Sequence, residues 1–454
     1  GIASLAAYLK KYEFGVAALD CVALTLTHDE IVEIIRKRKP RSVGISATTY
    51  ALPASTALAK RLRKEFPNLL IILGGAHANI AGIHAAKNIT SVDIVCCHSE
   101  GETVVLDIIS KFSKHNFNRE TFLNDISTMK SIKGIIFRNK DEIVKNLPGD
   151  IIKDLDYLPL PARELFPIER YVPLPNQYKK LPLTNMIVIR GCPYVCTFCD
   201  QAATTARRRS PQKVIEEIRE VVKKYGVKEI SFWDDTMSYH KKWMEEFLYL
   251  LIEAKLDLCW SCYAAVNTVD KDLLQLMHKA GCWNIFFGFE TGVEELAKNI
   301  LSNRKNRNFE KMKQVAKWTR DVGIESRGSF MIGMPGETPE LAKQTVQNAI
   351  ELDPDYAQFS IVCPYPGTQL QKEIKQGKWG KFIEEDFEKY HVWDVTWLPE
   401  GYKSVEELKN MERYAYRKFY LRLSYIMKRI LKIRSFEDIK RYIKGGTALM
   451  KAFL

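Results

Sequence analysis

Hydrophobic positions along this chain fall into two alternating patterns, separated by a stretch that proline interrupts. In residues 1–146, continuous apolar segments, RSVGISATT (41–49), LLIILGG (69–75) and VDIVCCH (92–98), take turns with amphipathic ones such as IVEIIRKRK, STALAKRLRKEF and GETVVLDIISKF. Continuous apolar runs suit strands covered on both faces, and the segments between them have helical spacing, so the pattern predicts a doubly wound parallel sheet. Thr27-His28-Asp29-Glu30 has the form of a capping box ahead of its helix. GIIFRNKDEIVKN (134–146) predicts a hairpin that closes this first domain. The opening residues, GIASLAAYLKKYEF, read as helix, and a strand ahead of them is expected to be missing.

Residues 147–182 hold seven of the 18 prolines. Proline fixes φ and removes an amide donor, so an extended linker is expected there. A second alternation fills 183–376. Its strands read as NMIVIRG, KEISFWDD, CWSCYAAV, CWNIFFGFE, IESRGSFMIGM and YAQFSIVCP, with helices such as SPQKVIEEIREVVKKYG and PELAKQTVQNAIEL between them. Six such units predict an open, partial (β/α)6 barrel. Residues 377–454 read as a basic, mainly helical region. The expected fold is therefore α/β: a Rossmann-like doubly wound domain, a linker, a partial barrel and a helical end.

Composition narrows the class. A length of 454 residues suits two or three domains, and 46% hydrophobic with 27% charged residues suits a full globular core. Ten cysteines, few for this length and mostly scattered, do not make a secreted disulfide framework. No apolar run reaches the ~18 residues that would span a bilayer, and no signal peptide is visible, so a cytoplasmic protein is expected. The net charge of +13 is uneven: residues 401–454 hold 14 Lys and Arg against 5 Asp and Glu. Two readings of that tail stay open, basic helices with a solvated outer face, or a docking surface for an anionic lipid, membrane or nucleic acid.

The chemistry concentrates in RGCPYVCTFCD, residues 190–200, where Cys192, Cys196 and Cys199 are spaced C-x₃-C-x₂-C after the first barrel strand. A closed zinc site wants four ligands, whereas a [4Fe–4S] cluster held by three thiolates keeps one iron open for another molecule. This loop resembles the signature of radical S-adenosylmethionine (SAM) enzymes. The resemblance implies that the open iron chelates SAM's amino and carboxylate groups, and that reductive cleavage yields methionine and a 5′-deoxyadenosyl radical. It also implies SAM contacts from Phe198 in the loop, Asp234 and Asp235 after the second strand, Glu290 in GFETG, and Arg327, Ser329, Gly333 and Glu337 around SFMIGMPGET.

The first domain is similar to the cobalamin-binding domain fused ahead of many radical SAM proteins. Its strand ends carry Ser46, Thr48, Thr49 and Tyr50, then Gly74, Gly75 and His77, then Glu100, Gly101 and Glu102. Small residues there let a corrin approach the backbone, and hydroxyls and free amides meet its polar groups. The D-x-H-x-x-G motif that would supply a lower cobalt ligand is absent.

These resemblances imply a cobalamin-dependent radical SAM enzyme, with [4Fe–4S] cluster, SAM and cobalamin as cofactors. One SAM would methylate cobalamin, and a second would make the radical that readies an unactivated carbon for the methyl group. Alternatives are ring closure or oxidative rearrangement without methyl transfer, RNA methylthiolation, and a non-catalytic cobalamin or iron–sulfur sensor. Expected partners are a small or lipid-like, anionic substrate, a reductant such as flavodoxin or ferredoxin, and a membrane surface at 401–454, with oxygen sensitivity. Cys259 and Cys262 alternate on a strand and read as packing, as do Cys96 and Cys97; Cys21, Cys282 and Cys363 read as buried small apolar residues.

Overall fold

The computed structural model describes residues 1–98, 100–300, 308–387, 390, 395–433, 443 and 445–447. The chain divides into two compact units, Gly1–Arg170 with Glu384–Asp394, and Tyr171–Ile383 with Val395–Leu454.

In the first unit, α1 (Ile2–Lys11) and α2 (His28–Arg38) precede β1 (Ser42–Ser46), α3 (Leu52–Glu65), β2 (Leu70–Gly74), α4 (Ala76–Asn88), β3 (Ile94–Cys96) and α5 (Gly101–Lys114). Two short helices, α6 (Arg119–Asn124) and α7 (Ile126–Ser131), lead into β4 (Ile135–Asn139) and β5 (Glu142–Lys145). The sheet runs β1-β2-β3-β4-β5, parallel through β3 and antiparallel in the β4–β5 hairpin. Leu70, Ile72, Ile94, Cys96, Ile135 and Phe137 pack on α5 through Val104, Ile108 and Phe112. On the opposite face Val95 and Ile136 meet α4 at Gly82. Helices thus cover both faces, as the unbroken apolar strands require. The Thr27 capping box forms as its spacing predicts.

The proline-rich stretch departs from the linker reading. Ile152, Leu155 and Leu158 are buried with Tyr8, and Ala162 is buried with Ala6 and Ala7. Burying those apolar residues on α1 draws 147–170 into the first unit, because each is worth about 1–3 kcal/mol removed from water. Glu384–Asp394, expected in the C-terminal region, also belongs to this unit. There Phe387 sits edge-on to His77 and His84 at 5.6 and 4.8 Å between ring centres.

The second unit begins with β6 (Leu183–Met186), the short β7 (Ile189–Arg190) and β8 (Arg207–Arg208), and α8 (Pro211–Tyr225). Then follow β9 (Glu229–Phe232), α9 (Lys241–Glu253), β10 (Cys259–Ala264), α10 (Lys271–Lys279), β11 (Cys282–Glu290), α11 (Glu294–Ile300) and α12 (Phe309–Asp321). The barrel ends with β12 (Glu325–Ile332), α13 (Pro339–Leu352), β13 (Tyr356–Ile361) and α14 (Gln369–Lys375). Six strands form a parallel sheet in the order β13-β12-β11-β10-β9-β6, so every carboxyl end lies along one edge. Its outer face carries a stacked row, Phe287, Phe289, Phe330 and Phe359, with rings 5.4–5.6 Å apart.

NMIVIRG, expected as one strand, is two. The chain leaves the sheet after Met186, and Ile189–Arg190 pairs antiparallel with Arg207–Arg208 instead. The buried Asp234 carboxylate causes the break: its Oδ1 accepts the amides of Val188, at 2.7 Å, and Ile189, pulling them out of the ladder.

After the antiparallel pair β14 (Gly380–Phe382) and β15 (Trp397–Pro399) come α15 (Val405–Tyr420) and α16 (Leu423–Leu431). These helices finish the open edge of β13. The Tyr416 hydroxyl donates to Phe359 O (3.0 Å) and accepts from its amide (3.3 Å), and Tyr420 does the same at Ala357 (2.7 and 3.0 Å). The Glu412 carboxylate accepts the Ile361 amide, and Tyr425 donates to Asp355 O at 3.0 Å. Four helical residues rise about 6 Å and two strand residues about 6.6 Å, so positions 412, 416 and 420 match 361, 359 and 357. Four of the tail's cations pair internally. Asp353 takes Arg422 (3.4 Å) and Lys428 (2.8 Å), and Asp355 takes Arg429 (2.6 Å) and Lys432. For these four the docking-surface reading gives way to internal pairing.

Replacing Tyr416 or Tyr420 by Phe strands one amide and one carbonyl, and is expected to lower unfolding free energy by about 2 kcal/mol in urea titrations. A change within about 0.3 kcal/mol would mean that water serves the edge equally well.

Candidate active site

The loop 191–206 opens directly off the sheet edge. Gly191 has φ 90°, and a Cβ there would lie 2.4 Å from Thr205 O, so only glycine closes the loop at this point. Thr204 fixes the turn: its hydroxyl accepts the Cys192 amide at 2.8 Å, and its amide donates to Cys192 O at 3.0 Å. Cys192 and Cys196 are buried, Cys199 is partly exposed, and all three gather in one cluster with Tyr194, Ala265 and Phe198. Desolvation pushes the Cys199 thiol up to about 12, so a metal must displace its proton to bind. Three soft thiols on one loop fit a cubane missing its fourth protein ligand.

The strand-end residues divide by what they already hold. Glu290, 8% exposed, sits at a bulge between β11 and β12 with φ 52°. Its carboxylate folds back over Gly288, where a Cβ would lie 2.6 Å from Oε1. Such strain in a non-glycine residue is stored where the direction of a side chain matters. Asp235 is exposed at the rim, its carboxyl raised by desolvation and by Asp200. Ser329 is half-buried on the inner face, in register with Gly288.

Asp234 and Glu337 are braces. Besides pinning the start of β7 beside the end of β9, Asp234 leaves Oδ2 buried without a partner and rises to about 7 through desolvation. Glu337, fully buried, accepts from the Gly333 amide and from the Tyr402 hydroxyl (2.6 Å), and burial lifts it to about 7. It therefore fixes the turn at Gly333, which has φ 74°. Arg207 and Arg208 form β8, and Arg209 is buried against Glu217 at 2.6 Å.

Arg327 lies deeper than the rim. The register Tyr263–Phe286–Arg327–Tyr356 puts it one inward row below Ser329. That row also brings in side chains that sequence reasoning passed over. Trp233 meets Tyr263 at 6.0 Å, Tyr263 meets Phe286 at 5.1 Å, and the Arg327 guanidinium covers Phe286 at 4.9 Å. The signal was present as alternation in CWSCYAAV and CWNIFFGFE, whose second face is polar and aromatic rather than aliphatic.

In the first unit the predicted cobalamin residues again gather at strand carboxyl ends. Ser46 and Thr48 are exposed, Tyr50 is half-buried, and Gly74 faces open space. Gly75 takes φ 91° to start α4 against Ala47, where a Cβ would clash at 2.7 Å. The amino ends of α4 and α5, at Gly75 and Glu100–Gly101, have no side-chain cap, unlike α2, α8, α10, α12 and α13. The His77 amide in the first turn of α4 is taken by Ala47 O at 3.1 Å, and the positive helix ends favour an anionic or amide-bearing ligand. These features fit a corrin that lies against backbone. Three residues point elsewhere: Thr49 and His77 bond each other inside the unit (3.2 Å), and Glu102 is 4% exposed.

Comparison with known proteins agrees with this division. Residues 186–349 match the radical SAM superfamily, and residues 1–108 match the B12 binding domain. The chain is 30% identical to the uncharacterized methyltransferase PH0819 of Pyrococcus horikoshii, over 98% of this chain and 92% of that one. It is 27% identical to the anaerobic magnesium-protoporphyrin IX monomethyl ester cyclase of Rubrivivax gelatinosus, over 100% of this chain and 78% of that one. Its fold is like that of the radical SAM methyltransferase TsrM of Kitasatospora setae, solved with cobalamin and a [4Fe–4S] cluster bound (TM-score 0.71, 15% identity, 99% of this chain and 95% of that one). The chain belongs to the radical SAM enzymes that carry a B12-binding domain, a family whose cofactors are SAM, a [4Fe–4S] cluster and cobalamin.

Asp234 and Glu337 hold protons when folded that they release when unfolded, their ordinary values being 3.8 and 4.5. Between pH ~4 and ~7 the folded chain binds more protons, so the stability of the metal-free protein is expected to fall as pH rises through that window. Guanidinium titrations across it should give a flatter profile for the D234N/E337Q double variant; an unchanged slope would contradict these assignments.

Proposed function

We propose that this protein is a cobalamin-dependent radical SAM methyltransferase acting on an unactivated carbon. The observation that carries the reading is a loop of three gathered thiols at the end of one parallel strand, with Glu290 aimed inward from the same edge. Cys192, Cys196 and Cys199 would hold the cluster. Phe198 would pack beside it, Asp235 would take the amino group of SAM, and Glu290 would hold the ribose hydroxyls. Asp234, Glu337 and Gly333 would keep strand ends in place for those contacts. Ser46, Thr48, Tyr50, Gly74 and Gly75, with the open helix ends, would seat cobalamin, while Thr49, His77 and Glu102 would support that surface from within. When bound, the cluster supplies the electron that splits SAM, and cobalamin carries the methyl group.

A low-potential electron donor of the flavodoxin or ferredoxin kind would feed the cluster, and the loaded enzyme would be oxygen-sensitive. No described helix is long and apolar enough to cross a membrane. The cyclase among the relatives favours a second reading, ring closure on the same cofactors.

Anoxically reconstituted protein is expected to cleave SAM to 5′-deoxyadenosine, and C192A, C196A or C199A should abolish both the cluster's absorbance and this product. Methyl transfer predicts S-adenosylhomocysteine and deoxyadenosine in equal yield. Deoxyadenosine alone would favour ring closure, and activity surviving loss of a thiol would overturn both. G75A should cost cobalamin binding by equilibrium dialysis while leaving the cluster intact.

A further inference from the structure

The row below the rim has a chemistry that the cofactors do not account for. Arg327 is 6% exposed, and among the described residues no carboxylate makes an ion-pair contact with it, although the field of the buried Glu229 reaches it. Its Nε donates to Asn284 Oδ1 at 2.8 Å, Tyr263 is its other hydrogen-bonding neighbour, and its face rests on Phe286. Asn284 is fully buried, and its Nδ2 has no partner. A buried guanidinium is costly to keep without an anion, and a buried amide donor left empty adds to that cost. A guanidinium with no carboxylate in ion-pair contact, beside a buried amide donor without a partner, describes a site for a carboxylate-like anion.

The surface around them sets what the anion is attached to. Phe286 and Tyr263 are only partly buried, Trp233 is half exposed, and their rings run in contact from Arg327 toward the exposed Trp233. Aromatic faces hold flat unsaturated rings through stacking, about 0.5–1.5 kcal/mol per pair beyond the area buried. The next inward row toward the carboxyl ends is Gly288, over which the Glu290 carboxylate folds, with Ser329 and Gln358.

We propose that the inner face of the barrel sheet binds the substrate as a planar, unsaturated organic acid, with its carboxylate on Arg327 and Asn284 and its ring system along Phe286, Tyr263 and Trp233. The proposal rests on the radical SAM reading of the barrel and names the substrate class of that site. It also moves Arg327 from the cosubstrate to the substrate, one strand row, about 6.6 Å, below Ser329. Arg327 then fixes which part of the substrate faces the cluster loop.

The test is calorimetric titration of the cluster-reconstituted full chain with 2-naphthoate and its neutral analogue 2-naphthamide. The naphthoate is expected to bind the wild type at least about tenfold more tightly than the amide does, since the charge partner is buried. R327Q and N284D should each weaken it by at least about tenfold, and W233A should weaken both probes alike. N284D guards against a folding artefact: an internal carboxylate gives Arg327 its own anion, so this variant should melt no lower than the wild type while expelling the naphthoate. Absence of naphthoate binding to the wild type, or binding within about twofold in both variants, overturns the proposal. So does a loss of SAM affinity in N284D, whether or not naphthoate binding is kept. Deoxyadenosine formation by the same preparation tests the radical SAM reading separately. If SAM is cleaved but naphthoate ignores Arg327, only the substrate assignment fails.

Discussion

Parallel strands laid down in chain order set everything else in the second unit. Because β6 and β9 to β13 neighbour one another in sequence and all point the same way, every loop after a strand emerges on one edge. Residues nearly 150 positions apart, such as Cys192 and Glu337, reach a common rim without any special long-range contact. The cluster loop then needs only local devices: glycine at 191 to turn, Thr204 to pin both ends, and apolar neighbours to desolvate the thiols. The same rule, ligands beyond strand carboxyl ends, governs the smaller sheet and its uncapped helix ends.

A parallel sheet that does not close must finish its last strand, and here a helix does so. Side chains four apart on α15 rise nearly as far as backbone groups two apart on β13, so tyrosine hydroxyls stand in for a neighbouring strand. Each hydroxyl both donates and accepts, which lets one side chain satisfy an amide and a carbonyl together. Asp353 and Asp355, at the amino end of β13, also collect four of the tail's cations, Arg422, Lys428, Arg429 and Lys432, on and beside α16.

Much of this was legible in the sequence, for physical reasons. Strand and helix order followed from period, the Thr27 cap from its spacing, and the three-thiol loop from ligand chemistry. What stayed hidden depended on partners far away in the chain. The split of NMIVIRG needed Asp234, 46 residues downstream of Val188. The packing of 147–170 needed α1, which sequence patterning treats as unrelated. Strand-end acids looked alike as letters, yet Asp234 and Glu337 brace backbone, Asp235 meets solvent, and Glu290 turns inward only because Gly288 leaves it room. The alternation of aromatic with apolar residues in β10 and β11 does not say which face is which, and only the register shows that Tyr263 and Phe286 share a row with Arg327.

A cluster held by Cys192, Cys196 and Cys199 alone would keep one iron open to SAM. Electron paramagnetic resonance of the anoxically reconstituted, reduced protein tests it directly. A [4Fe–4S] signal is expected whose line shape changes when SAM is added, because the cosubstrate would become a ligand of the open iron. A reduced cluster whose spectrum is indifferent to saturating SAM would contradict it.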